Sequence, residues 1–378
     1  MRRRQLYKFA VCACVLVYIY YVFGVRDYIY ARSFDHEFDY PLAADIRPAV
    51  AAVLAGHEPP LAPINYYPHR FLTNSGKCAT LERLDLFIVV KSAMSHLERR
   101  DAIRQTYGQE NFIPGTIVRT LFFLGVDPPP KSDTQRRIEE EMARHRDIIQ
   151  IDFLDDYYNN TIKTMMSFRW LYEHCAVADF YLFTDDDMYI SVANLLEYVH
   201  ERTDSRSRNG TASATGGASK KDGALLAGYV FQSAPQRFRS SKWRVSLEEY
   251  PWNRWPPYVT AGAYVVCNRA MRLLYAGSLF VKHFRFDDVY LGIVAKKVGV
   301  APAHCPRFHF YKKSYSREGY RRVIASHGYS DPRDLITVWN EKIGNCYLLN
   351  YFRINGFNCH CLVFVFNQLL NDMFSVSL

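Results

Sequence analysis

The sequence predicts an α/β protein: a mainly parallel sheet flanked by helices, carried behind an N-terminal apolar segment. Three observations predict this. From residue 81 onward, short apolar runs alternate with stretches of helical periodicity, the pattern of strands joined by crossover helices. The fourth apolar run ends directly in Asp185, Asp186 and Asp187, and in such sheets ligands bind beyond the carboxyl ends of the strands. Ahead of all this, residues 9–25 contain no charge, a length at the lower limit for a membrane span.

Composition sets outer bounds. With 49% hydrophobic and 22% charged residues, the chain is neither disordered, collagenous nor a coiled coil. A formal charge of +9 fits an anionic partner such as a nucleotide, a nucleic acid or an acidic membrane, without choosing among them.

The N-terminus addresses the compartment. Arg2, Arg3, Arg4 and Lys8 precede the apolar run, which predicts residues 1–8 in the cytosol and the rest translocated. The run is long for a signal peptide, is rich in Tyr and has no small-x-small cleavage site after it. We therefore expect an uncleaved signal anchor over 9–25. Cys78, Cys175, Cys267, Cys305, Cys346, Cys359 and Cys361 then face an oxidising lumen, where thiols pair. Sequons at Asn159 and Asn209 suit a lumenal chain. Anchor and sequons together weigh against a nucleic-acid binder.

Residues 26–77 contain Pro41, Pro48, Pro59, Pro60, Pro63 and Pro68, which break any long element; a poorly ordered stem is expected. Strands follow over 84–90, 117–124, 148–153 and 180–184, with helices over 97–107, 134–145 and 161–174. Ile162, Met165, Phe168 and Tyr172 mark the buried stripe of the last helix. Residues 204–223 are polar and of low complexity, a flexible insert. Two Trp-rich stretches (Trp243, and 252–258) lead into a strand over 261–266, a helix from Arg269, and a helix opening at Asp287 and Asp288. Residues 346–378 form a Cys- and Phe-rich extension whose apolar run, broken by Asn367 and Asn371, is too short to span a membrane.

The chemistry-bearing residues allow two readings each. Three adjacent carboxylates repel one another unless a cation binds, and hard divalent ions prefer carboxylate oxygens; the alternative is an acidic turn capping the next helix. Asp287 and Asp288 suit either an N-terminal helix charge or a general base in a cleft. His327 suits a metal site begun by carboxylates or a structural role. Arg99, Arg100 and Arg104 share a helix face that is either solvated or phosphate-binding.

In order along the chain, these segments resemble one family. Lys91-Ser92-Ala93 ends the opening strand, and Arg99-Arg100-Asp101-Ala102-Ile103-Arg104-Gln105-Thr106-Tyr107-Gly108 follows. Phe122-Phe123-Leu124-Gly125 is next, then Asp152-Phe153-Leu154-Asp155 through Asn159-Asn160-Thr161-Ile162-Lys163-Thr164. The acidic triplet, Trp255-Pro256-Pro257-Tyr258 through Gly262, Asp287-Asp288-Val289-Tyr290-Leu291-Gly292, and Val323 to His327 complete the set. Over residues 81–342 this pattern resembles the β1,3-glycosyltransferases, the β1,3-galactosyl- and β1,3-N-acetylglucosaminyltransferases, and within them the brainiac-type enzymes, which add N-acetylglucosamine to a mannosyl-glucosyl-ceramide.

The resemblance implies a GT-A fold over 78–345, a UDP-sugar donor, a glycolipid or glycan acceptor, Mn²⁺ as cofactor and a Golgi membrane location. It implies Asp288 as catalytic base, with Asp187 and His327 as metal ligands. Donor-side positions are implied at Lys91, Ser92, Arg99, Arg104, Lys163, Asp185 and Asp186, and acceptor-side positions at Trp255, Tyr258, Gly262 and Asp287. Asn160 stands where the family has Leu. A pairing of Cys78 with Cys175 is expected, since one precedes the first strand and the other ends the helix before the acidic strand; Cys267 with Cys305 is a second expected pair. A galactosyltransferase with the same groups is the close alternative. An inactive lectin or chaperone on this fold would show a broken acidic triplet or a missing second pair, and both are intact.

Overall fold

The computed structural model describes residues 2–40, 43–127, 132–209 and 223–342. The N-terminal helix α1 (Arg2–Val22) is apolar and long enough to cross a membrane, and its apolar stretch is exposed throughout. Exposed side chains such as Phe9, Leu16 and Val17 form the kind of apolar surface that water-soluble proteins avoid. The helix starts seven residues earlier than the uncharged run and stops three short of it, because the run is halted at Gly24, which has φ +64°. Short helices α2 (Val25–Ile29) and α3 (Phe34–Glu37) follow, then α4 (Arg47–Leu54).

The remaining elements are β1 (Leu84–Lys91), α5 (Leu97–Gln105), β2 (Val118–Val126), α6 (Asp133–His145), β3 (Ile148–Leu154), a 3₁₀ turn (Tyr157–Asn159), α7 (Asn160–His174), β4 (Ala178–Asp185), β5 (Met188–Ile190) and α8 (Val192–Asn209). They continue with β6 (Leu226–Phe231), β7 (Tyr258–Cys267), α9 (Asn268–Ser278), α10 (Asp287–Val298), β8 (Ala303–His304), β9 (Phe308–His309) and β10 (Ala325–His327). Seven strands form one sheet in the order β3-β2-β1-β4-β7-β6-β8, in which β7 alone runs antiparallel to its neighbours. A small second sheet, β5-β10-β9, lies beyond it.

The central strand β1 is buried along its whole length, as strands covered on both faces are. Phe87 and Val89 face the layer that holds α7, α9 and α10, and Leu86, Ile88 and Val90 face that of α5, α6 and α8. The result is a three-layer α/β arrangement, with the carboxyl ends of β1 and β4 next to one another where the strand order reverses.

Residues 26–77 are not the linker expected. Tyr40, Ile46, Ala49, Val50 and Tyr67 are buried in the main core. Asn65 Nδ2 donates to Ser278 O at 2.7 Å, and Tyr67 Oη meets Tyr290 Oη at 3.2 Å. The prolines prevent long regular elements, yet irregular chain can still bury aromatic anchors and satisfy its backbone through side chains. Part of the expected insert also differs: residues 204–209 continue α8, while 210–222 lie outside the described residues, as does the extension 346–378.

The Cys78–Cys175 disulfide is present. Cys267 and Cys305 are free. Cys267 ends β7 and Cys305 follows β8, with β6 between the two strands; two strand spacings, about 10 Å, exceed the reach of a disulfide. The Cys78–Cys175 bond closes a loop with a sequence separation of 97. Replacing both cysteines by Ala is expected to cost about 2–5 kcal/mol, read as a lower denaturation midpoint of the solubilised chain; an unchanged midpoint would contradict this.

Candidate active site

The site begins with strand register. Parallel pairing of β1 with β4 sets Lys91 beside Asp185, the last residue of each strand. The Lys91 ammonium is 4% exposed and lies 3.1 Å from Asp185 Oδ1 and 2.8 Å from Asp287 Oδ2. Burial alone pulls its pKa down, but the charges of Asp185 and Asp287 outweigh that and hold it well above the ordinary lysine value. Thr164 Oγ1, from α7, donates to the same Asp287 oxygen at 2.9 Å. Asp287 is thus kept ionised: burial opposes the charge, but Lys91 and these hydrogen bonds prevail and lower its pKa.

Asp288, the next residue, has the opposite fate. Burial and then the neighbouring charge of Asp287 push its carboxyl up to about 7. Its Oδ1 accepts only from the Val289 N–H among the bonds the described residues make to it, at 2.7 Å, in the first turn of α10 where the helix dipole favours an anion. Gly292, one turn on, allows α10 to press on β7: a Cβ there would stand 2.5 Å from Tyr258 Cβ. Two adjacent carboxylates are thereby driven apart, one a fixed anion and one poised near neutrality, the division expected of acid–base machinery.

The second sheet brings in the third group. Antiparallel pairing of β10 with β5 places His327 opposite Met188, and the Tyr329 N–H donates to Asp187 O at 2.8 Å. His327 Nε2 therefore lies 3.3 Å from Asp187 Oδ2, and that bond raises the imidazole pKa. Asp187 Oδ1 is buried and has no hydrogen-bond partner among the described residues. A buried carboxylate oxygen without a donor, beside an imidazole nitrogen, is an oxygen–nitrogen set that suits a divalent cation. No group of three or more His, Cys, Asp or Glu that could hold a metal occurs among the described residues, so such an ion would draw its other ligands from substrate and water.

Several expected donor-side residues are placed elsewhere. Asp186 turns away from the cleft, accepting from Ser92 Oγ at 2.7 Å and Arg99 Nη1 at 2.9 Å and meeting His96 Nδ1 at 2.8 Å. Ser92, Arg99 and Asp186 thus brace the turn rather than line the cavity. Lys163 is buried on Asp155 and on Ser92 O, both at 2.6 Å. Arg104 is committed to Asp101, Glu141 and Asp147 and lies over Phe122, which leaves it no free face for a phosphate. Cations withdrawn from solvent need carboxylates of their own, and this demand takes Arg99, Lys163 and Arg104 out of the expected role. Asn159 ends the 3₁₀ turn before α7 and Asn209 ends α8.

What remains is one cleft in two parts. A cavity of about 560 Å³ is lined by Lys91, Asp185, Asp287, Asp288, Trp255 and Tyr258, among others. A smaller one of about 310 Å³ is lined by Asp185, Asp288, Gly262 and His327. Asp185 and Asp288 border both, so the carboxyl poised near neutrality sits where the two chambers meet.

The galactosyltransferase family profile matches residues 98–306. The β-1,3-galactosyltransferase brn of Drosophila melanogaster is 37% identical over 87% of this chain and 92% of its own. The chain belongs to the galactosyltransferase family. Human β-1,3-galactosyltransferase 1 is 33% identical over 74% of this chain and 80% of its own. The zebrafish lactosylceramide 1,3-N-acetyl-β-D-glucosaminyltransferase A is 33% identical over 68% and 66%. These relatives make it a β1,3-glycosyltransferase, for which the family implies a sugar donor and a glycan or glycolipid acceptor.

In this family member the cleft has walls that motif reading left unassigned. Trp243 borders both chambers, with Phe231 and Phe310, and Tyr157 and Asn160 border the larger. Trp243 is 50% exposed and Tyr157 52%, and the indole Nε1 donates to Tyr157 Oη at 3.3 Å. An exposed aromatic pair at a cleft mouth suits the apolar face of a sugar ring. The Trp-rich stretch was the signal available, but only the fold shows which indole is exposed. Trp243→Ala is expected to raise the acceptor KM about tenfold with a smaller change in kcat, as loss of a stacking contact worth about 1 kcal/mol or slightly more would; an unchanged KM would exclude the contact.

Proposed function

We propose that the protein is an inverting, metal-dependent β1,3-N-acetylglucosaminyltransferase that uses a UDP-sugar and acts on a mannosyl-glucosyl-ceramide glycolipid. We place it in the Golgi membrane as a single-pass type II protein with its catalytic domain in the lumen. The observation that carries this reading is Asp288, a carboxyl poised near 7 at the junction of the two chambers.

In the proposed mechanism Asp288 accepts the proton of the acceptor's 3-hydroxyl as that oxygen forms a bond to the anomeric carbon. The bond from that carbon to the UDP oxygen breaks on the opposite face, so an α-linked donor yields a β product. Burial makes Asp288 basic, and Asp287, locked by Lys91 and Thr164, adds an anionic field in the same direction. Asp187 and His327 would hold a divalent ion, Mn²⁺ in this reading, which supplies charge neutralisation for the departing diphosphate. Lys91 stays charged on the cleft floor and adds a fixed positive centre beside Asp185.

Galactose transfer is the second reading, favoured by the name of the Drosophila relative, whereas that of the zebrafish relative names N-acetylglucosamine. Donor choice between similar sugars rests on a few kcal/mol of pocket contacts. Turnover with UDP-N-acetylglucosamine and UDP-galactose side by side, on a β-mannosyl-glucoside, decides it: transfer from the galactose donor alone would discard the N-acetylglucosamine assignment.

Because Asp288 must be ionised to accept a proton, kcat/KM is expected to fall about tenfold per pH unit below about 7 and to level off above it. Asp288→Asn should lower kcat by a factor of about 10³ or more while UDP binding is kept. EDTA should abolish transfer and Mn²⁺ restore it. A flat profile down to pH 5, or a fully active Asp288→Asn, would remove the role.

A further inference from the structure

We infer that the juxtamembrane chain clamps the active cleft against the bilayer surface, so that the acceptor is taken from the membrane plane as the short saccharide headgroup of a lipid. This rests on the reading of α1 as a membrane anchor and of the protein as a glycosyltransferase.

The anchor and the catalytic domain are joined without slack. Helix α1 has 21 residues, of which 9–22 are uncharged and span about 21 Å at 1.5 Å per residue, so the apolar helix is short for a bilayer and its last turn lies near the headgroup level. The charged Arg26 and Asp27 stand just past its end, where hydrocarbon cannot continue. Docking begins on the last turn of the helix itself. The Arg239 N–H donates to Val22 O at 3.0 Å, its Nε donates to Tyr21 O at 3.0 Å, and its guanidinium lies 3.7 Å from the centroid of the Tyr21 ring. Phe23 packs on Phe238 at 5.1 Å.

Gly24 then presses on the next residue of the same segment. Its φ is +64°, and a Cβ there would stand 2.3 Å from Arg237 O, so only glycine permits both the bend and the approach. Further along, the Arg32 N–H donates to Pro251 O at 2.8 Å and the Asn253 N–H to Arg32 O at 2.9 Å. Trp252 Nε1 donates to Glu37 O at 2.8 Å.

The segment that grips the anchor is also a wall of the cleft. Gln236, Trp243 and Trp255 line the larger chamber, interleaved with the gripping residues Arg237, Phe238, Arg239 and Trp252. The segment is rigid because Arg237 is buried and donates to three carbonyls: Val245 O at 2.8 Å, Tyr250 O at 2.8 Å and Trp252 O at 2.9 Å. Position at the bilayer is therefore transmitted from Gly24 to Gln236 through adjacent residues. The cleft mouth is dressed for that location. Tyr157 and Trp243 are half exposed, and Lys242 Nζ lies 4.5 Å from the Trp243 ring, the aromatic and basic pairing that settles at headgroup level.

The test uses the full-length chain reconstituted in phosphatidylcholine vesicles, assayed with mannosyl-glucosyl-ceramide in the same vesicles and with a water-soluble β-mannosyl-glucoside. A flexible Gly/Ser insert of about twenty residues between Phe23 and Gly24, with a reach of about 25 Å, combined with Phe238→Ala and Arg239→Ala to release the end of α1, keeps residues 24–37 docked but frees the domain from the bilayer. The rate on the lipid acceptor is expected to fall about fivefold or more while the rate on the soluble glycoside stays within about twofold, because only the lipid loses its fixed presentation. Arg239→Ala should move the ratio of the two rates in the same direction. An unchanged ratio, whether both rates hold or both fall together, would overturn the inference. If the unmodified chain transfers to neither acceptor, the transferase reading fails first and takes this inference with it.

Discussion

One buried ammonium group holds the site together. Lys91 ends the central strand and neutralises carboxylates from β4 and α10, two elements that sequence separates by about a hundred residues. Without it, Asp185 and Asp287 would face one another in a desolvated floor, an arrangement that costs several kcal/mol per uncompensated charge. With it, Asp287 is a stable anion, and burial together with the field of that anion keeps Asp288 protonated to unusually high pH. The charged state of Asp287, which adds to the effect of burial on Asp288, thus depends on where one strand ends and on the register that pairs Lys91 with Asp185.

The strand and helix alternation from residue 84 to 174 was readable because apolar runs and helical periodicity are local signals. The motif aspartates were readable as a set, and the structure brings Asp185, Asp287, Asp288 and His327 to one cleft, with Asp187 against His327 behind its wall. The direction in which each side chain points was not. Asp186 differs from its neighbours only by alternation along the chain, and its partners Ser92, His96 and Arg99 lie some ninety residues upstream. Arg104 and Lys163 looked available for phosphate because sequence does not reveal that Glu141, Asp147 and Asp155 already occupy them.

Residues 26–77 show the opposite error. Their prolines rule out long regular elements, but not packing. Tyr40, Tyr67 and Asn65 anchor an irregular chain to α9, α10 and the loop between them through contacts more than two hundred residues apart. Such long-range anchoring carries no local signature. It also changes the meaning of the segment: a stretch that reads as a flexible spacer instead forms part of the catalytic body, and ties the cleft to the helix that precedes it.

Burial and the charge of Asp287 set the proton affinity of Asp288. Titration of the carboxyl carbons of ¹³C-labelled aspartate by NMR reads that affinity, with Asp288 assigned by the loss of its signal in Asp288→Asn. The expected midpoint is near 7 and moves down when Asp287 is replaced by Asn. A midpoint near the ordinary aspartate value of about 4, or one indifferent to Asp287, would contradict it.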